Sequence, residues 1–182
     1  MTTKWCIFLG LLLLLLGLLN ACERRVSYPA MPLLENIPPE QSQVHFTNEL
    51  RESPRQNVLP YEYFYNGAGV AVADFNGDDW PDVYLASNLS ANHLFLHNGD
   101  FTFRDVTATS RSSGTRGFST GVCLVDINAD GRMDLYLCKS GRFSNPDLRR
   151  NELLINQGNN AEGIPIFSEQ AQAYGLDIPA YS

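Results

Sequence analysis

The sequence predicts an all-β protein made of repeated antiparallel strand units, and three observations carry that reading. The stretch Gly69 to Ala86, GVAVADFNGDDWPDVYLA, returns fifty-two residues later as GVCLVDINADGRMDLYLC, Gly121 to Cys138. In both copies a short apolar run meets a nine-residue acidic loop, and a second apolar run follows. Further short strands and turns then recur in the same order, and a unit of about 52 to 64 residues with several strands is the signature of propeller blades or a similar array. The expected fold is therefore antiparallel β-propeller blades, about two of them.

Residues 1–21 read as a leader. Lys4 supplies a positive start, and Ile7 to Leu19 is a thirteen-residue apolar stretch, too short to span a bilayer. Small Ala21 precedes Cys22. Leu19-Asn20-Ala21-Cys22 resembles the bacterial lipobox, which implies cleavage before Cys22, acylation of that cysteine and an extracytoplasmic protein held on a membrane (periplasm or outer surface). A plain secretory signal with an incidental cysteine and a retained anchor are the alternatives. Residues 22–60 hold six of the ten prolines and read as an extended tether. Within it, Gln43-Val44-His45-Phe46-Thr47 alternates as a strand would.

Residues 61–182 read as the two repeats. The aromatic run Tyr61 to Tyr65 is expected to pack at the entrance of the first repeat rather than to form a ligand platform. Val83 to Ala86, His93 to Leu96 and Phe101 to Val106 follow the first loop as strands. Leu153 to Ile155 and Ile164 to Phe167 answer them in the second copy. The matches include Asn92 with Asn151, Gly99 with Gly158, and Phe103 with Phe167.

The loops carry the chemistry. Positions 1, 3, 5 and 9 are Asp74, Asn76, Asp78 and Asp82 in the first copy, and Asp126, Asn128, Asp130 and Asp134 in the second. Alternate oxygen side chains across a tight turn suit a hard divalent cation, because Ca2+ takes about 6 to 8 oxygens. The carbonyl of Trp80 or Arg132, at position 7, would complete such a cage. Magnesium fits less well because it keeps its waters. Gly77, Ala129 and Gly131 suit the bend, whereas Asp79 stands where the second copy has Gly131. An EF-hand is excluded: position 12 is Leu85 or Leu137 rather than Glu, and the flanks are β-rich. The competing account is a pair of ordinary Asx-type turns without metal.

Net charge is −7, and seven of the 20 acidic residues, Asp74, Asp78, Asp79, Asp82, Asp126, Asp130 and Asp134, are gathered in the two loops. That balance excludes a basic nucleic-acid footprint. Cys123 and Cys138 flank the second loop, where the first copy has Ala71 and Ala86. A cross-strand disulfide and two buried free thiols both remain open, with the thiols favoured. His45, His93 and His97 lack metal-ligand spacing, and no serine or cysteine sits in a nucleophile-elbow context. Carboxylate pairs occur only inside the loops. The chain is accordingly read as a non-enzyme. Asn88-Leu89-Ser90 matches a glycosylation acceptor, of little weight beside a bacterial lipobox.

The stretches GVAVADFNGDDWPDVYLASN with NHLFLHNGDFTFRDVT, and FSTGVCLVDINADGRMDLYL with NELLINQG, resemble FG-GAP or VCBS repeats, the calcium-loop β-propeller units of integrin α-subunit heads and many secreted bacterial proteins. The lipobox and aromatic lead-in are similar to the cartilage-acidic-protein and ASPIC/UnbV type. The resemblance implies a calcium-stabilised propeller with two calcium sites, carried over onto the eight side chains at loop positions 1, 3, 5 and 9. It implies binding of a protein or polysaccharide and not one ligand. A propeller scaffold for an enzyme domain elsewhere and a purely structural surface protein are the other readings. The turn Lys139 to Asn151, with Arg142, Arg149 and Arg150, is the best candidate for a partner-facing surface, and a solvated basic loop is the favoured account of it. Phe46 and Phe103 precede their loops by 28 and 23 residues, so Phe167 predicts a third loop beyond Ser182. The sequence therefore reads as the N-terminal part of a longer protein whose remaining blades lie in the same chain.

Overall fold

The computed structural model describes residues 34–115 and 117–179. The chain divides into two compact units, Met1–Asn36 and Ile37–Ser182. The leader and Cys22 lie outside the described residues. Among those described, no helix is long and apolar enough to cross a membrane.

The second unit is almost wholly β. A short helix α1 (Pro39–Ser42) precedes four strands, β1 (Val70–Ala73), β2 (Asp82–Leu85), β3 (His93–His97) and β4 (Phe103–Asp105). They form one antiparallel sheet in the order β1-β2-β3-β4, here blade 1. A helical turn α2 (Thr107–Ser110) leads into β5 (Phe118–Val125), β6 (Asp134–Ser140), β7 (Glu152–Asn159) and β8 (Pro165–Glu169), which repeat the order as blade 2. Two four-stranded antiparallel meanders are what the sequence predicted. They form no closed barrel.

The strands fall on the expected runs because alternation puts one residue set on each face. In blade 1, Ala71, Tyr84, Leu94 and Leu96 point one way and are buried. Blade 2 lays Leu135, Leu137, Leu154 and Phe167 against them, and all eight belong to one core cluster. The first strands of the two blades touch. A Cβ built on Gly69 would stand 2.5 Å from the Val122 backbone nitrogen, so glycine is what lets the blades approach here.

The connection between blades is tied by a buried ion pair. Lys139 Nζ lies 2.7 Å from Glu152 Oε2, and both groups also bond Thr115, the lysine to its hydroxyl at 2.8 Å and the glutamate to its N–H at 2.9 Å. The paired asparagines also have a shared task. Asn92 Oδ1 accepts from Ser87 N at 2.9 Å, and Asn151 Oδ1 accepts from Lys139 N at 2.8 Å, each closing the turn between the second and third strands.

Several expectations need correction. Gln43 to Thr47 is not a strand: α1 ends at Gln43 with φ 61°, and the run beyond it has no partner in either sheet. Its alternation still sorts half-buried from exposed residues, and Phe46 sits edge-on to His93 at 5.6 Å. The later part of the expected tether is therefore docked. Asn48 donates to Asn88 Oδ1 at 2.6 Å and accepts from Asn88 N at 3.0 Å. Asn88 is itself fully buried, which removes it as a glycosylation acceptor. The expected strand from Phe101 shrinks to Phe103–Asp105 because Phe101 turns at φ 60°.

Replacing Gly69 with alanine should push the blades apart and cost about 1 to 3 kcal/mol, as overpacking does. Urea unfolding of the variant beside the parent measures it, and equal midpoints would refute the close contact.

Candidate metal centre

Each acidic loop joins the first and second strands of its blade, and the two are bonded alike. Asp74 Oδ1 accepts from Gly77 N at 2.7 Å and its Oδ2 from Asp79 N at 2.8 Å. Asp126 does the same with Asp130 N at 3.0 Å and Gly131 N at 2.8 Å. Asn76 donates its amide to Asp78 Oδ2 at 2.8 Å, and Asn128 donates to Asp130 Oδ2 at 2.8 Å. The other oxygens of Asp78 and Asp130 accept from Trp80 N and Arg132 N, both at 2.9 Å.

Position 9 turns inward. Asp82 and Asp134 have no exposed surface. Asp82 accepts from Phe75 N and His97 N, both at 2.9 Å. Asp134 accepts from Ile127 N at 3.1 Å and Asn156 N at 2.8 Å. Burial pushes the Asp82 carboxyl up to about 6 against those two hydrogen bonds, and the charges of Asp78 and Asp74 add to the rise. Asp74, Asp78 and Asp82, three of the four carboxylates of the first loop, thus feel one another.

The bend needs left-handed backbone at positions 4 and 6 in both copies. Gly77 and Ala129 have φ 78° and 56°, while Asp79 and Gly131 have φ 69° and 84°. The copies therefore share a shape and differ in which position carries the side chain. Position 7 differs more. Trp80 stacks on His97 at 5.1 Å. Arg132 instead places its guanidinium on Asp130 and donates to the Asn156 carbonyl at 3.0 Å. The Arg132 N–H, the Asn128 amide and the guanidinium charge hold the Asp130 carboxyl below the usual carboxylate range, against a smaller effect of burial.

The donor set is all oxygen and suits a hard cation. Its convergence is incomplete: among the described residues, no three His, Cys, Asp or Glu side chains gather as a cage. Positions 1, 5 and 9 instead satisfy backbone N–H groups of the loop and the neighbouring strand.

The remaining site residues also have definite places. Cys123 and Cys138 are free. Cys123 pairs with Tyr136 and Cys138 with Gly121, so the residues are diagonal rather than opposite, a spacing of about 7 to 8 Å between such neighbours that a disulfide does not readily bridge. The expected burial fails as well, since Cys123 is exposed and Cys138 half-buried. Burial raises the Cys138 thiol, and Cys123 adds to that. The arginine turn is largely tied down: Arg150 pairs with Asp147 and Asp177, and Arg149 donates to the Phe143 carbonyl. Arg142 donates to the Pro60 carbonyl at 3.1 Å and lines an open cleft of about 730 Å³ with Tyr61, Glu62, Tyr63 and Asn66. The aromatic run splits accordingly. Phe64 is buried and Tyr61 packs 5.5 Å from Phe118, while Tyr63 and Tyr65 stay exposed. Sequence reasoning had this cleft only as a dismissed platform.

The architecture defines a protein of four-stranded antiparallel blades, each carrying an acidic turn between its first two strands. More particularly, residues 74–137 match the family model of an FG-GAP-like repeat. It is similar to cartilage acidic protein 1 of Homo sapiens, at 31% identity over 72 residues, 40% of this chain and 11% of that protein. The Xenopus tropicalis protein of the same name gives 29% over 72 residues with the same shares. The Mus musculus protein gives 30% over 69 residues, 38% of this chain and 11% of that one. The chain spans 11% of the length of these curated relatives.

Two outcomes follow. Asp82→Ala should strand the N–H groups of Phe75 and His97 at about 1 to 3 kcal/mol each, read as a lowered denaturation midpoint; an unchanged midpoint would show that the buried carboxylate is not structural. Asp79→Gly should raise stability by about 0.5 to 1 kcal/mol by relieving a left-handed aspartate, and a lowered melting temperature would contradict the strain.

Proposed function

We propose that the chain is a binding module displayed outside the cytoplasm, without catalytic activity, whose two loops each take a calcium-class cation. The propeller-type repeat supports the binding role at the coarse level. The observation that carries the finer reading is the repetition itself. Two loops that differ at positions 2, 4, 6, 7 and 8 keep the same four oxygen-bearing side chains in the same bonding pattern. When bound, the ion supplies charge neutralisation to an otherwise self-repelling turn. Asp74, Asn76, Asp78 and Asp82 would hold it in blade 1, and Asp126, Asn128, Asp130 and Asp134 in blade 2, each set joined by the carbonyl of Trp80 or Arg132. Lipid on Cys22 would anchor the module to a bacterial membrane, since acyl chains contribute about 0.8 kcal/mol per buried CH2. We place the contact with a protein or polysaccharide partner at the cleft of Tyr61, Tyr63 and Arg142, where a half-buried and an exposed tyrosine ring lie beside charged groups.

A second reading has an observation of its own. The loop carboxylates already satisfy local N–H groups and do not converge, as metal-free Asx turns would.

Calcium titration by calorimetry, with thermal melts in calcium and in chelator, separates the two. The proposal expects two sites, one of them lost in Asp126→Ala/Asp130→Ala and the other in Asp74→Ala/Asp78→Ala. It also expects stabilisation of about 2.7 kcal/mol when calcium stands at a hundred times its dissociation constant. No heat and no thermal shift at millimolar calcium would leave the turn reading in place.

A further inference from the structure

The cleft of about 730 Å³ lies at the end of β5 and β6 remote from their acidic loop, between two walls. The segment Leu59 to Gly67 forms one, and Thr120, Ser140 and Arg142 form the other. The walls are pinned together. Asn88 donates from one amide nitrogen to the Gly67 carbonyl at 2.8 Å and to the Ser119 carbonyl at 2.7 Å, and Arg142 Nη1 donates to the Pro60 carbonyl at 3.1 Å. Buried Phe64 packs on Phe118 with ring centroids 5.9 Å apart. The cleft is therefore formed before any ligand arrives, which lowers the entropic cost of binding. The Tyr61 and Tyr63 carbonyls accept from Phe64 N and Asn66 N. With the Pro60 and Gly67 carbonyls also taken, this wall does not offer a peptide the backbone ladder that strand addition needs. What it presents is side chains.

Tyr61 and Tyr63 stand edge to face at 5.8 Å, an aromatic corner in which Tyr63 is 54% exposed. The C–H face of a sugar ring packs on such a surface. Ser140 is 4% exposed and lines the cleft, and its hydroxyl makes no hydrogen bond among the described residues. Arg142 forms no ion pair among them either, and its Nε and Nη2 are unused. Arg55 comes up to Arg142 and Tyr61 around a small adjoining cavity. Glu62, the acid of the cleft, is engaged with the Tyr63 hydroxyl and disfavours its ionisation. Two guanidiniums thus face one carboxylate, the reverse of the chain's net charge of −7. We infer that the cleft holds a uronic-acid residue of a polysaccharide, its ring on Tyr63, its hydroxyls at Ser140 and Asn66, and its carboxylate on Arg142 through two parallel N–H bonds. This names the occupant of the partner site proposed above and rests on that placement, but not on the loops binding a cation. An acidic peptide fits less well, because recognition of acidic motifs uses arginine clusters and strand addition uses free backbone groups.

Calorimetric titration of the full chain with alginate and polygalacturonate oligomers, their methyl esters, a dextran oligomer and polyglutamate tests it. The two uronates should bind, and their methyl esters and dextran about tenfold more weakly or worse. Arg142→Gln should weaken the uronates about tenfold, the size expected for losing hydrogen bonds to a charged group. Glu62→Gln should do the opposite and tighten them about two- to threefold, because it removes an exposed like charge. Each variant should melt like the parent, and Arg142→Lys, which keeps the charge without the fork, replaces Arg142→Gln if that one does not. Methyl esters that bind as well as the acids overturn the inference and leave a neutral-sugar site at the cleft, as do two charge variants that act in the same direction. Polyglutamate bound as tightly as the uronates overturns it in favour of a protein partner. Failure of both uronates to bind overturns it outright. Uronate binding that neither variant moves overturns the placement at the cleft as well.

Discussion

Each blade depends on one buried carboxylate at the ninth loop position. Asp82 and Asp134 are without solvent contact, and each binds two N–H groups from segments far apart in the chain, one in the loop and one on the third strand. A buried charge without such partners is costly, and so is a buried N–H without an acceptor. The aspartate resolves both at once. It fixes the curvature of the loop and the position of the third strand together, and the side chains at positions 1, 3 and 5 are presented from a rigid base.

The first loop is also held from outside its own blade. Asn156 and Asn159 of β7 donate to the carbonyls at positions 2 and 3 of that loop. Blade packing and loop shape are therefore coupled: a loosened interface frees two carbonyls of the loop, and a deformed loop pulls on β7. The ion pair of Lys139 and Glu152 does comparable work on the connecting segment through Thr115. Polar groups set the geometry of this interface, and the apolar faces of the strands fill it.

Much of this was legible in the sequence because it is local and occurs twice. The strands, the loop positions, the left-handed bends and the Asn92 and Asn151 match each leave a residue signature, and the second copy distinguishes signature from coincidence. What failed was non-local. Gln43 to Thr47 alternates because one side of it rests on blade 1, and alternation reports burial whether or not a neighbouring strand offers hydrogen bonds. The exposure of Cys123 against the burial of Ala71 depends on which blade has a neighbour, a fact absent from either stretch alone. Lys139 appeared to belong to a solvated basic turn and is buried, because its partner Glu152 lies across the β6–β7 connection.

The two loops also reach the same shape with different electrostatics. In the second, the Arg132 guanidinium already sits on Asp130, so a cation entering there competes with a charge the loop carries itself, and part of the Coulomb gain is already taken. In the first, position 7 is Trp80, committed to stacking on His97, and Asp79 adds another carboxylate in a backbone conformation that disfavours a side chain. No basic side chain of that loop offsets its charge, and Asp78 and Asp74 add a small rise to the Asp82 carboxyl that burial has already pushed up. The copy that departs further from the glycine-bearing pattern is therefore the one whose folded state has more to gain from a bound cation, while the copy that keeps the glycine has its own partial substitute.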